Sequence, residues 1–234
     1  MLEVRGLDAR YGAAQALFGV SLGVGRGEVV ALVGRNGAGK STTLRSVMGL
    51  VDRRAATLGF EGRDIRALPT HAIARLGLGY VPEDRRIFAD LTVDENLEAG
   101  RRPPRPGTAA WTPERLFELF PNLAGMRRRP GGRMSGGEQQ MLTLARTLMG
   151  NPSLVLLDEP SEGLAPRVVE QMALSLAALK REGLSLLLSE QNLSFASLLA
   201  DRAYVMETGR VRWEGTMAAL AADEDLRRRH LGVP

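Results

Sequence analysis

Two kinds of apolar pattern recur along this chain, and together they sort it into strands and helices. Apolar and polar residues alternate from Leu2 to Leu7 and again from Ala16 to Val24, the period of a half-buried strand. Val29 to Val33 and Leu154 to Leu157 are apolar throughout, and Leu184 to Ser189 is nearly so, as expected of strands buried on both faces. Short strands are also expected at Thr57 to Phe60, before the Glu61-Gly62 turn, and at Gly79 to Val81. Ala203 to Met206 and Arg210 to Glu214 flank Thr208-Gly209 and read as a hairpin. Helices are predicted from Pro69 to Leu76, where proline is tolerated at a helix start, from Gly136 to Met149, and from Pro166 to Arg181. The chain ends in a short charged helix.

Between about Glu83 and Gly132 the strands give way to two expected helices, Val93 to Ala99 and Pro113 to Phe120. Arginine- and proline-rich loops, Arg101 to Gly107 and Arg127 to Gly132, flank the second of them. The pattern is that of a single α/β unit, 1–82 and 133–234, with a helical insertion at 83–132.

Composition narrows the class without naming it. The 234 residues are 44% hydrophobic, enough for a sizeable core and too many for disorder. The net charge of +4 is modest. Lysine occurs only at Lys40 and Lys180 and isoleucine only at Ile65, Ile73 and Ile87, a bias that reads as genome composition and not as selection for nucleic acid. There is no cysteine, which excludes disulfides and thiolate chemistry. The start, Met1-Leu2-Glu3-Val4-Arg5, does not resemble a signal peptide. The longest apolar runs are about five residues, far below the ~20 that span a bilayer. A soluble protein is expected.

Three motifs carry chemistry. Gly34-Arg35-Asn36-Gly37-Ala38-Gly39-Lys40-Ser41-Thr42 lies between an apolar strand and an expected helix, with the G-x-x-x-x-G-K-[ST] spacing of a phosphate-binding loop. Its backbone N–H groups and the positive end of the helix would cradle phosphate, Lys40 would reach the terminal phosphates, and the Ser41 hydroxyl would ligate Mg²⁺. A chance glycine turn would lack that strand and helix. Leu154 to Leu157 next delivers Asp158-Glu159 at the carboxyl end of a strand, where open parallel sheets bind ligands. Asp158 would hold Mg²⁺ through water, and Glu159 would orient or deprotonate an attacking water. The pair could instead cap the following helix. Last, Ser135-Gly136-Gly137-Glu138 opens a helix with exposed backbone donors and a hydroxyl, a second anion site. One phosphate loop does not need a second site unless the second serves a partner's nucleotide.

In this order and spacing the three motifs resemble the ATP-binding cassette of ABC ATPases, over essentially the whole chain. The resemblance implies a P-loop NTPase core with a mainly parallel sheet, an N-terminal antiparallel β subdomain and a helical insertion. It implies ATP and Mg²⁺ as ligands, and two cassettes paired head to tail so that each Ser135-type signature closes on the other's nucleotide. Tyr11 matches the aromatic that stacks on adenine, although a lone tyrosine can equally be a packing residue. Ser161-Glu162-Gly163-Leu164 matches a loop at the dimer interface. Glu83 stands where most relatives have a glutamine near the metal, and Gln191 where most have a histidine on the γ-phosphate. An amide can donate to a phosphate oxygen but carries no charge, which leaves Glu159 as the main base.

Tyr11-Gly12, Arg85-Arg86-Ile87-Phe88, Gly137 to Leu142, Ser161 to Pro166 and Glu190-Gln191-Asn192 are further similar to the shorter ATPase subunit of bacterial branched-chain amino acid importers. Related importers of urea and short amides share much of this pattern. That similarity implies a second, different ATPase subunit, two membrane permeases, an indirect link to a periplasmic solute-binding protein, and a place on the cytoplasmic face of the plasma membrane. A soluble ABC ATPase acting on ribosomes or DNA would carry two cassettes or a long coiled-coil insertion, and neither is present. A non-hydrolysing regulatory cassette is motivated by Glu83 and Gln191 and opposed by Glu159. The arginine clusters, Arg101, Arg102, Arg105 and Arg127 to Arg129, read as solvated loops or as contacts to anionic lipid. No aromatic residues interleave them to suggest nucleic acid.

Overall fold

The computed structural model describes residues 1–105 and 110–232. In chain order it begins with β1 (Leu2–Tyr11), β2 (Ala14–Val24), β3 (Val29–Val33) and α1 (Lys40–Val47). Then come β4 (Asp52–Arg54), β5 (Thr57–Phe60), β6 (Arg63–Asp64), α2 (Thr70–Leu76) and β7 (Leu78–Val81). The span expected as an insertion carries α3 (Val93–Gly100), α4 (Pro113–Leu119) and the short α5 (Pro121–Ala124). The chain continues through α6 (Gly136–Leu148), β8 (Leu154–Asp158), α7 (Pro166–Arg181), β9 (Ser185–Glu190) and α8 (Leu193–Ser197). It closes with β10 (Arg202–Glu207), β11 (Arg210–Thr216), α9 (Met217–Ala222) and α10 (Glu224–Leu231).

Two sheets result. In the first, β1 pairs antiparallel with β2, β4 and β5, and β6 extends β5. The second has the order β11-β10-β3-β9-β8-β7, parallel except for the β10–β11 hairpin. This is the α/β cassette fold expected from the motifs: antiparallel subdomain, mainly parallel core sheet and helical insertion.

The continuous apolar strands are explained by where the cores sit. Along β3, Val29, Ala31 and Val33 pack into one core with α3 to α9, while Val30 and Leu32 pack into another with α1 and the antiparallel sheet. Successive side chains of a strand point to opposite faces, so a strand between two cores must be apolar at every position. The same holds for β8 and β9. Carboxyl ends of β3, β7, β8 and β9 therefore emerge on one edge, and each is followed by a residue singled out in the sequence: Gly34, Glu83, Glu159 and Gln191.

Arg101, Arg102 and Arg127 to Arg129 are exposed, as the solvated-loop reading expects, and Arg105 alone departs from it. Its Nε donates to Asn151 O at 2.9 Å, and burial depresses its pKa, so it fastens the insertion to the turn before β8. Arg127 pairs with Asp94 at 3.0 Å and lies over the Phe117 ring. Pro106 and Gly107, at the end of the expected 101–107 loop, lie outside the described residues. Among the described residues no helix is long and apolar enough to cross a membrane.

Candidate nucleotide site

The phosphate loop connects β3 to α1 through backbone that only glycine accommodates at two points. A Cβ on Gly34 would lie 2.5 Å from Met206 O, against the end of β10. Gly39 has φ +105°, and a Cβ there would also meet Leu17 at 2.8 Å. Gly39 is the N-cap of α1 and supplies no capping side chain, so the first-turn N–H groups stay available to an anion. Above them opens a cavity of about 570 Å³, lined by Asn36 to Thr42, Glu83, Glu159, Glu162, Thr208 and Gly209, with Gln15, Ala16 and Phe18 at its far wall.

Lys40 and Glu159 meet on the inner wall. Lys40 Nζ donates to Gly34 O at 2.8 Å and Arg35 O at 3.2 Å, and lies 3.0 Å from Glu159 Oε1. Both side chains are nearly inaccessible, at 2% and 7%. Gln191 Nε2 donates to Glu159 Oε2 at 2.8 Å. Burial works to raise the Glu159 pKa, but hydrogen bonds from Glu162, Gln191 and Lys40 outweigh it and hold the carboxyl below its usual range. Glu162 moves the opposite way, to about 7, through its hydrogen bond to Glu159, burial and the repulsion of Glu159, Glu83 and Glu190. One carboxylate is thus kept ionised beside a lysine, with a neighbour that takes up a proton near neutrality. Such a group can accept a proton from water.

Asp158 lies one residue back, fully buried beneath this wall and outside the cavity lining. Tyr80 Oη donates to its Oδ2 at 3.0 Å and Ser189 Oγ to its Oδ1 at 2.8 Å. Burial and the charge of Asp158 together push the Tyr80 phenol well above its ordinary pKa, so it stays a donor. Each carboxylate oxygen retains a free lone pair. With Ser41 and Glu83 on the cavity wall, the available donors are all hard oxygens, which suits Mg²⁺.

Not every expected site residue converges here. Tyr11 is outside the cavity lining but near it, 47% exposed, with its hydroxyl 3.5 Å from Thr42 Oγ1. Ser135, Gly136, Gly137 and Glu138 are elsewhere, at the start of α6 and away from the cavity. Ser135 and Glu138 satisfy each other there: Ser135 N–H donates to Glu138 Oε2 at 2.7 Å, and Glu138 N–H to Ser135 Oγ at 3.4 Å. In this capping box the Glu138 carboxylate is turned back onto its own helix end. Gln191 is placed beside Glu159, to which its Nε2 donates.

Sequence reasoning missed Tyr80 and Ser189 as partners of Asp158. Their side chains are brought to it by the parallel register that sets Tyr80 opposite Leu156 and Ser189 opposite Asp158. It also missed Thr208-Gly209 as cavity lining. Their position at the carboxyl end of β10, beside β3, was the available signal.

Comparison with known proteins identifies the family. Residues 17–162 match the family model described as ABC transporter. The chain is 43% identical to the high-affinity branched-chain amino acid transport ATP-binding protein BraG of Pseudomonas aeruginosa, over 99% of this chain and all of that protein. It is 35% identical to the lipopolysaccharide export system ATP-binding protein LptB of Escherichia coli, over 99% of this chain and 97% of that one. A solved ATP-binding subunit of an ABC transporter superposes with a TM-score of 0.81 at 29% identity, covering 99% of this chain and 96% of that chain. The chain belongs to the ATP-binding subunits of ABC transporters and is an ABC-family ATPase.

Proposed function

We propose that this chain hydrolyses ATP to drive uptake of branched-chain or other hydrophobic amino acids through partner membrane permeases. The observation that carries the catalytic half is the Lys40–Glu159 pair on the cavity wall with Gln191 bonded to it, an ionised carboxylate held between an ammonium and an amide donor. The α1 N-terminus and the glycine backbone would receive the phosphates, and Lys40 would leave Glu159 for the anion. Released from the lysine, Glu159 would take the proton of the attacking water, with Gln191 still fixing its other oxygen. Ser41 and Glu83 would hold Mg²⁺, with Asp158 behind them acting through water, and the ion when bound would neutralise phosphate charge. Tyr11 would stack on the base. Ser135 to Glu138 would complete the site of a second cassette, whose own signature would close on Lys40.

The 43% identity to BraG supports an amino acid substrate, and the resemblance of Glu190-Gln191-Asn192 to the shorter importer subunit agrees. A partner of different sequence, two permeases and a periplasmic binding protein follow from that reading, with the chain peripheral on the cytoplasmic face of the membrane. The related reading, a urea or short-amide importer, differs in the solute and not in this site. Steady-state hydrolysis by the parent and by Glu159→Gln tests the catalytic half, since a variant as active as the parent would remove Glu159 from the mechanism. The solute is tested by identifying the solute-binding protein that works with this chain and measuring what it binds. Selective binding of leucine, isoleucine or valine supports the amino acid reading, and selective binding of urea or amides overturns it.

A further inference from the structure

Three consecutive residues at the end of β9 grip three different points of the chain that leaves β8. Ser189 Oγ donates to Asp158 Oδ1 at 2.8 Å, and the same oxygen accepts from the Glu159 N–H at 3.1 Å. Glu190 accepts from the Ser161 N–H at 3.1 Å with one oxygen and from the Asn192 N–H at 3.3 Å with the other. Gln191 holds the Glu159 side chain. Strand pairing explains only part of this. The parallel register sets Asp158 opposite Ser189, and the Glu159 N–H also reaches Ser189 O at 3.1 Å. A backbone carbonyl can accept from Glu159 but cannot donate to Asp158. Only the hydroxyl does both.

The backbone at this point needs such support. Glu159 has φ +46°, in the left-handed region that a residue with a side chain occupies sparsely. A conformation of this kind persists only where its surroundings over-determine it. Ser189 is fully buried, so no bulk water replaces the hydroxyl when it is removed. The strand sequence around it, Leu186-Leu187-Leu188, is apolar, which makes a buried serine at this place unexplained by packing.

We propose that Ser189 is a positioning residue for ATP hydrolysis, its hydroxyl fixing together the turn that aims Glu159 and the orientation of the Asp158 carboxylate. It touches no reacting atom and works through those two side chains, so the inference rests on the hydrolytic reading given above. Glu190 assists by tying Ser161, the next turn of the same loop, to the β9 end.

The test compares the full-length parent, Ser189→Ala, Ser189→Cys and Glu159→Gln. For each, kcat and KM for ATP, the affinity for a fluorescent ADP analogue and amide hydrogen exchange of residues 157–163 are measured. Cysteine fills the serine's volume but hydrogen-bonds weakly, so it separates the hydroxyl from the space it occupies. Ser189→Ala is expected to lower kcat about ten-fold, the size of one lost hydrogen bond to a charged group. KM and ADP affinity should stay within about two-fold, with exchange accelerated at 157–163. Ser189→Cys should stay close to alanine. Parental kcat in Ser189→Ala, or full recovery in Ser189→Cys, overturns the role of the hydroxyl. A parallel loss of ADP affinity without a kcat effect of its own overturns it too, by showing a purely structural role. A parental rate in Glu159→Gln instead overturns the hydrolytic reading itself, so the two failures are distinguishable.

Discussion

The two glycine-rich helix starts of this molecule, at Gly39-Lys40 and at Ser135-Gly136, share a chemistry and differ in how complete they are. At the first, the helix end has no capping side chain, and its nearby charges, Lys40 and Glu159, are buried against each other at the wall of a cavity. At the second, Ser135 and Glu138 already cap the helix reciprocally, Ser135 is exposed, and neither residue lines the cavity at the first. The first is a site in want of an anion. The second is a helix end already capped by its own side chains. Under the proposed function, the first would be one half of a nucleotide site and the second would meet the nucleotide of a paired cassette.

Mutations can break this contrast. Lys40→Ala should have the largest effect, since it removes the phosphate-binding charge and strands the Glu159 carboxylate among buried groups. Hydrolysis is expected to fall by at least ~10²-fold, as when a single preorganised donor is removed from other sites. Nucleotide affinity, read by titration with a fluorescent analogue, should fall with it. Ser135→Ala should leave nucleotide binding by the isolated chain within about two-fold of the parent and lower stability to denaturant by about 1 kcal/mol, the worth of a lost helix cap. If Ser135→Ala abolished binding by a monomeric chain, the second helix start would belong to the same site as the first and the contrast would fail.

A smaller, pH-dependent effect sharpens the picture on the β9 side. Burial pushes the Glu190 carboxyl up to about 7 from an ordinary 4.5, against the hydrogen bonds from Ser161 and Asn192. Its folded pKa is raised, so the folded state holds the proton more tightly than the unfolded chain. The stability this gives is complete below about pH 4.5 and is lost as pH rises to 7, after which the difference is constant. Glu190→Gln has no such group to ionise. Relative to that variant, the parent's thermal midpoint should drop by a few degrees between pH 5 and pH 8. Parallel melting curves across that range would show Glu190 to be ionised at no cost in the native protein.

Much of the fold could be read from the chain because its strands are buried on both faces. Val29 to Val33 and Leu154 to Leu157 announce themselves as apolar runs, and α6 and α7 by their helical periodicity and their glycine or proline punctuation. β4, written Asp52-Arg53-Arg54, and β6, Arg63-Asp64, could not be, since they are polar and mostly exposed, and β4 is fastened by backbone pairing together with Arg53, which donates to Val47 O at 3.0 Å and Ile65 O at 2.8 Å. α8 and α9 are too short to show a period. The candidate site divides the same way. Gly34 to Thr42 is legible because a phosphate loop is contiguous in sequence. Tyr80 and Ser189 are not, because strand register decides them, whereas the exchange at Ser135–Glu138 was written in the Ser-x-x-Glu spacing of a capping box and went unread.

The most direct measurement is paired: hydrolysis and nucleotide affinity of Glu159→Gln against the parent, on the same preparations. Removing the carboxylate while keeping its shape should cut hydrolysis by ~10²- to 10⁴-fold, the usual worth of a general base, and leave ATP affinity equal or tighter. Tighter binding is expected because Lys40 then gives up no ionic partner to meet the phosphates. Parental turnover in Glu159→Gln, or a loss of affinity equal to its loss of rate, would contradict the assignment of this wall as the hydrolytic centre.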